Sequence, residues 1–382
     1  MTNRCSSIRK LRYCILASGV WSLLLSGCSR QADTVFPAEE WETVAPEAED
    51  LDSAKLEIAV DFLKNHTGKD GVTELLVVRN GRLVWVGENI DHQHGVWSMT
   101  KSFTCTILGL LIEDGLCALD TKAASVLPEM GDLFPEVMLQ HFTTMTSGYR
   151  AVGDDRPGNY RHGPSTTPFV PDTSLLFEPG SKFAYWDSAM NQFANALTHI
   201  AGEPLEAVFK RRIADPIGMN TKAWTWGYFE GADGRRVNGG SGNSNKHIFI
   251  SAREAARFGW LFLNEGNWNG NQLISREWVK TATSVHVSAS MEWIPSLSPF
   301  DGRGYYGFNW WRNGIGAEGN HKWPGAPDTT YAASGYNNND LFVIPDWNMV
   351  IVRLGLDEND YKITDDDYGE FLRLVGLSLK ED

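Results

Sequence analysis

The pattern of apolar and polar positions changes character several times along the 382 residues. Leu51, Ala54, Ile58 and Phe62 recur at helical spacing, so a helix is expected from Leu51 to Asn65. Glu74 to Arg79 and Arg82 to Val86 are short strand-like runs joined by Asn80-Gly81, the strongest short hairpin signal. Phe103 to Ile112 is apolar almost throughout and stops near Gly115, the text of a buried helix. From about Asp120 to Ser290, helical segments alternate with long loops rich in Gly, Pro and Asn. Strands return at Tyr331–Ala333, Leu341–Pro345 and Met349–Leu354, with Asp346-Trp347-Asn348 turning between the last two. A final helix is expected from about Asp366 to Leu379, with Thr364 as its N-cap. Strands at both ends around a helical middle predict an α/β (α+β) architecture. One antiparallel β-sheet is made from the two termini and flanked by helices, with a mainly helical lobe inserted at roughly 120–290.

The first residues read differently. Arg4, Arg9, Lys10 and Arg12 precede the apolar stretch Tyr13 to Leu25, the pattern of a secretory signal. Leu25-Ser26-Gly27-Cys28 resembles a bacterial lipobox, which implies a lipoprotein signal peptide over 1–27 and lipidation of Cys28. The expectation is an exported protein, lipid-anchored to a bacterial membrane. Ser29, where an aspartate would retain such a protein at the inner membrane, favours the periplasmic side of the outer membrane. Gln31 to Asp52 carries eight acids and no Lys or Arg, so residues 28–50 are expected to form an acidic, extended tether. The remaining 51–382 would be the working domain.

Charge narrows the partners. The formal net charge is −14, and without the four basic residues of the signal 30 Lys and Arg face 48 acids. Such a balance argues against nucleic acid and against a polybasic membrane contact. Cys105 and Cys117 lie about 18 Å apart on a continuous helix, too far for a disulfide, and read as small buried side chains.

The candidate chemistry is Ser98-Met99-Thr100-Lys101, where a serine precedes a lysine by three residues at the mouth of the apolar helix. Residues three apart share a helix face, so the Lys101 amine can reach the Ser98 hydroxyl. A helix N-terminus favours the negative charge of an alkoxide or oxyanion. Burial lowers a lysine pKa toward a usable base. Together these make Ser98 a candidate activated nucleophile.

In this context the chain resembles the serine β-lactamase and penicillin-recognising superfamily, in its class C β-lactamase-like branch with DD-peptidases, 6-aminohexanoate-dimer hydrolases and esterases. The resemblance runs from about Val77 to Leu354, through Leu76–Gly81, Ser98–Ser102, Thr144–Gly148, Pro179–Tyr185, Asp215–Met219, Ser251–Gly259 and Val343–Pro345. It implies a β-lactamase/transpeptidase-like fold and an acyl-enzyme on Ser98. The family's Tyr-x-Asn falls on Tyr185-Trp186-Asp187, so Tyr185 is carried over as a proton-transfer group, its pKa lowered by the lysine. Asp187 replaces the asparagine and is assigned to substrate binding. The Lys/His-Thr-Gly element falls on Ala333-Ser334-Gly335, which assigns Ser334 and Gly335 to substrate binding and removes the usual cation. The oxyanion would be held by the backbone N–H groups of Ser98 and Tyr336.

The expected activity is hydrolysis of an amide or ester bond in a small acyl or peptide-like molecule, with no metal or organic cofactor. A carboxylesterase of the same fold is one alternative. A cell-wall sensor that acylates but turns over weakly is another, kept open by Asp187 and Ala333. His92-x-His94 lacks a third ligand and is read as a loop near the site rather than a metal centre. Asp365-Asp366-Asp367 is read as helix N-terminal charge, and Asn337 to Asp340 as a turn. The aromatic residues of 224–226 and 305–323 are divided between an acyl pocket and core packing.

Overall fold

Asn80 and Gly81 both take positive φ, 52° and 87°, the combination whose twist matches the strands it joins. The computed structural model that shows this describes residues 34–154, 168–231, 233–242, 245–356 and 363–380. The signal peptide, Cys28 and the first residues of the expected tether lie outside them. The elements that frame the site are α1 (Ser53–Lys64), β1 (Glu74–Arg79), β2 (Arg82–Val86), α2 (Thr100–Glu113), α3 (Asp187–Ala201), α4 (Ala252–Leu263), β3 (Trp311–Arg312), β4 (Tyr331–Gly335), β5 (Asn339–Ile344), β6 (Met349–Leu354) and α5 (Asp365–Ser378).

Six strands form one antiparallel sheet in the order β3-β4-β5-β6-β1-β2. The first and last strands of the chain meet as β1 and β6, with Val77 opposite Ile351. The sheet is thus closed by the two ends of the domain, as the pattern predicted. Every residue of β5 and β6 is buried, so both faces must be covered. Successive residues point to opposite faces, and the packing shows it. Gly259 of α4 lies against Leu341, whereas Tyr368 of α5 sits edge-on to Phe342 at 5.0 Å. Helices α1 and α5 pack against one another, and α5 starts with a capping box in which Thr364 and Asp367 bond each other's backbone.

Three expectations change. The buried face of α1 is Leu56, Ala59, Val60 and Leu63, and Ile58 is exposed. A second apolar set runs through the same helix, and the one facing α5 wins. Residues 34–50 do not form a free tether. Thr43 bridges to Leu83, Trp41 is buried, and Arg82 pairs with Glu42 at 2.7 Å and Glu49 at 2.9 Å. The acids that lack local cations find one on the hairpin. Finally, α4 falls within the span assigned to the inserted lobe, yet it packs on β1, β5 and β6. Its amphipathic stripe needs an apolar partner, and the sheet offers one.

Candidate active site

The turn before α2 is made by residues 97–99, where Trp97 adopts φ of 43°, a costly conformation for a bulky side chain. Its ring is held between His247, stacked at 5.3 Å, and Tyr336, edge-on at 5.9 Å. Ser98 follows in that turn and Lys101 lies one step into α2. Ser98 therefore stands just ahead of the helix rather than on it. The amine still reaches the hydroxyl: Lys101 Nζ donates to Ser98 Oγ at 2.6 Å.

Helix α3 packs across α2 and presents Asp187 in its first turn, where a carboxylate suits the helix dipole. Lys101 Nζ donates to Asp187 Oδ1 at 2.6 Å, with both side chains 1% exposed. Asp187 thus faces the amine and does not line the cleft, which corrects its assignment to substrate binding. Its second oxygen, Oδ2, has no hydrogen-bond partner among the described residues. Burial lowers the Lys101 pKa, while the charge and hydrogen bond of Asp187 oppose that shift. The two 2.6 Å contacts place the amine between Ser98 and Asp187.

Tyr185 is buried and hydrogen-bonded to Ser98. Lys101 Nζ lies over its ring, 4.4 Å from the centroid. The expectation that the lysine lowers the phenol pKa is overturned. Burial pushes it well above its ordinary value, the Asp187 charge adds to this, and the Ser98 hydrogen bond only partly offsets it. A desolvated phenolate beside a carboxylate is simply too costly, so Tyr185 stays protonated.

The end of β4 closes the site from the other side. A Cβ added at Gly335 would meet the Val96 carbonyl oxygen at 2.1 Å and the Met99 nitrogen at 3.2 Å. Only glycine lets the strand approach the Ser98 turn so closely. Tyr336 follows and lines the cleft beside Ser98, which brings together the two residues expected to supply oxyanion N–H groups. Ser334 lines the same cleft, and Ala333 is buried.

The cleft encloses about 560 Å³ and holds Ser98 and Tyr185 in its wall, with Phe300, Tyr305, Trp311 and Trp323 among its aromatic residues. Trp224, Trp226 and Trp310 belong to the core instead. Lys322, Asp365 and Asp340 also line the cleft and are not among the site residues read from the sequence. Lys322 lies over the Trp311 ring at 4.4 Å and pairs with Asp365 at 2.7 Å. Asp340 is opposite Ser334 across β4 and β5 and lines the cleft with them. The Asn-rich turn that preceded it in the text hid its strand position.

The remaining candidates lie elsewhere. His92 and His94 both lean on the buried Glu74, at 2.7 and 3.0 Å, and among the described residues no group of three or more His, Cys, Asp or Glu is placed to hold a metal ion. Cys105 and Cys117 are free thiols. No described helix is long and apolar enough to cross a membrane.

The sheet, its covering helices and this serine–lysine turn define a β-lactamase/transpeptidase-like fold. The family model described as Beta-lactamase matches residues 65–365, and the chain belongs to that family, whose members are serine hydrolases acting as esterases, amidases and peptidases. The chain is 26% identical to the D-alanyl-D-alanine-carboxypeptidase/endopeptidase AmpH of Escherichia coli K12, over 37% of this chain and 39% of that one. Among solved structures, a penicillin-binding protein homologue from Caulobacter crescentus superposes with a TM-score of 0.62 at 15% identity, covering 85% of this chain and 98% of that one. A family VIII carboxylesterase superposes with a TM-score of 0.62 at 14% identity, covering 88% and 98%.

Proposed function

We propose that this protein hydrolyses a small amide or ester through an acyl-enzyme on Ser98. The observation that supports it most is the unbroken line of 2.6 Å contacts from Ser98 Oγ through Lys101 Nζ to Asp187 Oδ1. As Ser98 Oγ attacks the carbonyl carbon, its proton passes to Lys101, which hands one of its own to Asp187. The amine keeps its charge and the carboxylate takes the proton. The carbonyl oxygen becomes an oxyanion facing the backbone N–H groups of Ser98 and Tyr336. When the C–N or C–O bond breaks, the leaving group takes the Tyr185 proton, and the Lys101–Asp187 pair restores it. Water then attacks the ester carbon, its proton follows the same route, and Ser98 leaves with a proton as the acid is released.

Tyr185 favours one branch of this chemistry. A phenol held protonated by burial gives up its proton reluctantly, and an alkoxide leaves with less help than an amine. Esters are therefore expected to react faster than amides of the same acyl group. Fluorophosphonate labelling read by intact mass tests the nucleophile, with one adduct expected on the native protein and none on Ser98→Ala. A p-nitrophenyl ester time course separates sustained turnover from a single burst, which would indicate a sensor. Equal labelling of both proteins would end the acyl-enzyme reading. Lipid attachment at Cys28 is a separate proposal, tested by comparing palmitate incorporation in cells with that of Cys28→Ser.

A further inference from the structure

Ser334 sits where the strand edge meets the cleft, so the direction of its hydroxyl decides what a bound molecule must offer. Asp340 lies directly across the ladder, is 6% exposed, and accepts a hydrogen bond from Ser334. A serine has one proton to donate. A hydrogen bond to a carboxylate is about twice as strong as one between neutral groups, so that proton goes to Asp340. Ser334 is left presenting lone pairs to the cleft.

The surrounding charges point the same way. Tyr368, whose hydroxyl donates to the Asn338 carbonyl at 2.9 Å, also lies within hydrogen-bonding reach of Asp340. The cross-strand Arg353 donates to the Gly71, Asn337 and Asn338 carbonyls. Lys322, the ammonium in the cleft wall, is tied to Asp365 and to the Trp311 face. A substrate carboxylate would have to displace Asp365 and would meet a second anion beside Ser334. An amine would find an acceptor backed by a carboxylate.

Resting on the reading of Ser98 as the nucleophile, we propose that Asp340 is a positioning residue that turns Ser334 into a hydrogen-bond acceptor, and that the cleft thereby selects substrates carrying a protonated amine over those carrying a carboxylate. Sequence gives no hint of this, because Asp340 closes an Asn-rich turn and only the strand register sets it opposite Ser334.

Two matched series test it on the whole protein. Methyl butyrate, methyl β-alaninate and monomethyl succinate place a methyl, an ammonium or a carboxylate at one position of the acyl chain. N-propylacetamide, N-(2-aminoethyl)acetamide and N-acetyl-β-alanine do the same beyond the nitrogen, and their binding is read by calorimetry. In at least one series the amino member is expected to exceed the carboxylate member by about tenfold or more, in kcat/KM or in affinity. Asp340→Asn should shrink that ratio to within about threefold, since an amide can donate to Ser334 and release its proton. Ser334→Ala should shrink it too, and carries the test if Asp340→Asn does not fold. Equal or reversed preference in both series, or a ratio that survives the substitutions, would overturn the proposal. Absence of hydrolysis of every ester would count against the nucleophile reading alone, because calorimetry still ranks the amides.

Discussion

The two walls of the cleft were built by different means, and they differ in how far they can be read from the chain. On one wall Ser98 and Lys101 are three residues apart, and one turn of backbone joins them at 2.6 Å. On the other, Ser334 and Asp340 meet only because β4 pairs with β5 in a particular register. Lys322 arrives from a loop and meets Asp365 at the start of α5. The first wall is local geometry, and the proposed bond-making chemistry falls on it. The second is tertiary geometry, and on the proposed reading it selects what is bound. Chemistry was thus legible before specificity.

The strongest way to break this division is to remove the amine that links Ser98 to α3. Lys101→Met should abolish turnover, by on the order of 10⁴-fold or more in kcat if the residues act as a unit. It should also cost stability, because Asp187 is 1% exposed and its Oδ2 already lacks a partner among the described residues. An uncompensated buried charge typically costs about 3–5 kcal/mol. Adding Asp187→Leu should restore much of the denaturation midpoint without restoring activity. If stability and activity return together, the pair is structural and the proton relay is wrong.

Asp187→Asn sharpens the same wall. It keeps the shape and supplies the amide found in the family's Tyr-x-Asn pattern, but it cannot accept a proton. A fall in kcat of about 10²- to 10⁴-fold is expected from the loss of a general base. Asp187 raises the Lys101 pKa by charge and hydrogen bond, so whatever activity remains should have its basic limb moved to lower pH. Unchanged kcat with a shifted profile would mean that Lys101 alone receives the Ser98 proton.

The fold was more legible than the site because its signals are periodic. The hairpin, β1, β2 and β6 sit where Asn80-Gly81 and the strand runs placed them, and α5 begins at the Thr364 cap. What failed was the choice among faces. Ile58 and Leu56 both occur at helical spacing, and only the docking of α5 decides between them. The acids of 34–50 read as self-repelling because the cation that receives two of them, Arg82, lies on the hairpin. Tyr185 was expected to lose its proton easily because one neighbour is a lysine. Burial outweighs that neighbour, and burial is a property of the packed molecule.

Between the two walls lies the contact of Gly335 with the Ser98 turn. Gly335→Ala places a methyl against the Val96 carbonyl, so either β4 or the turn must retreat and the oxyanion donors separate. A loss of about 3–4 kcal/mol of transition-state stabilisation is expected, appearing mainly in kcat. Thermal stability should fall less, since β4 keeps its ladder with β5. An Ala variant with full kcat would mean that the Tyr336 N–H does not serve the oxyanion.

The smallest effect separates the walls by proton linkage, with opposite signs. His247 is stacked between Trp97 and Phe249, and burial lowers its pKa from 6.5 to about 4. The folded protein binds fewer protons there than the unfolded chain, so this stability is complete above pH 6.5 and drains away as pH falls toward 4. Asp340 does the reverse: burial raises it from 3.8 to about 6, and its contribution grows as pH falls from 6 toward 3.8. Each shift amounts to at most about 3–3.5 kcal/mol, so the two oppose one another in the native protein over this window. Substituting one side should expose the other. Urea midpoints of His247→Phe, which keeps the stacking, should rise on acidification from pH 6.5 to 4, relative to the native protein. Those of Asp340→Asn should fall over the same interval. Parallel curves for the two variants would show that neither group titrates as its burial dictates, and the electrostatic contrast between the walls would go with them.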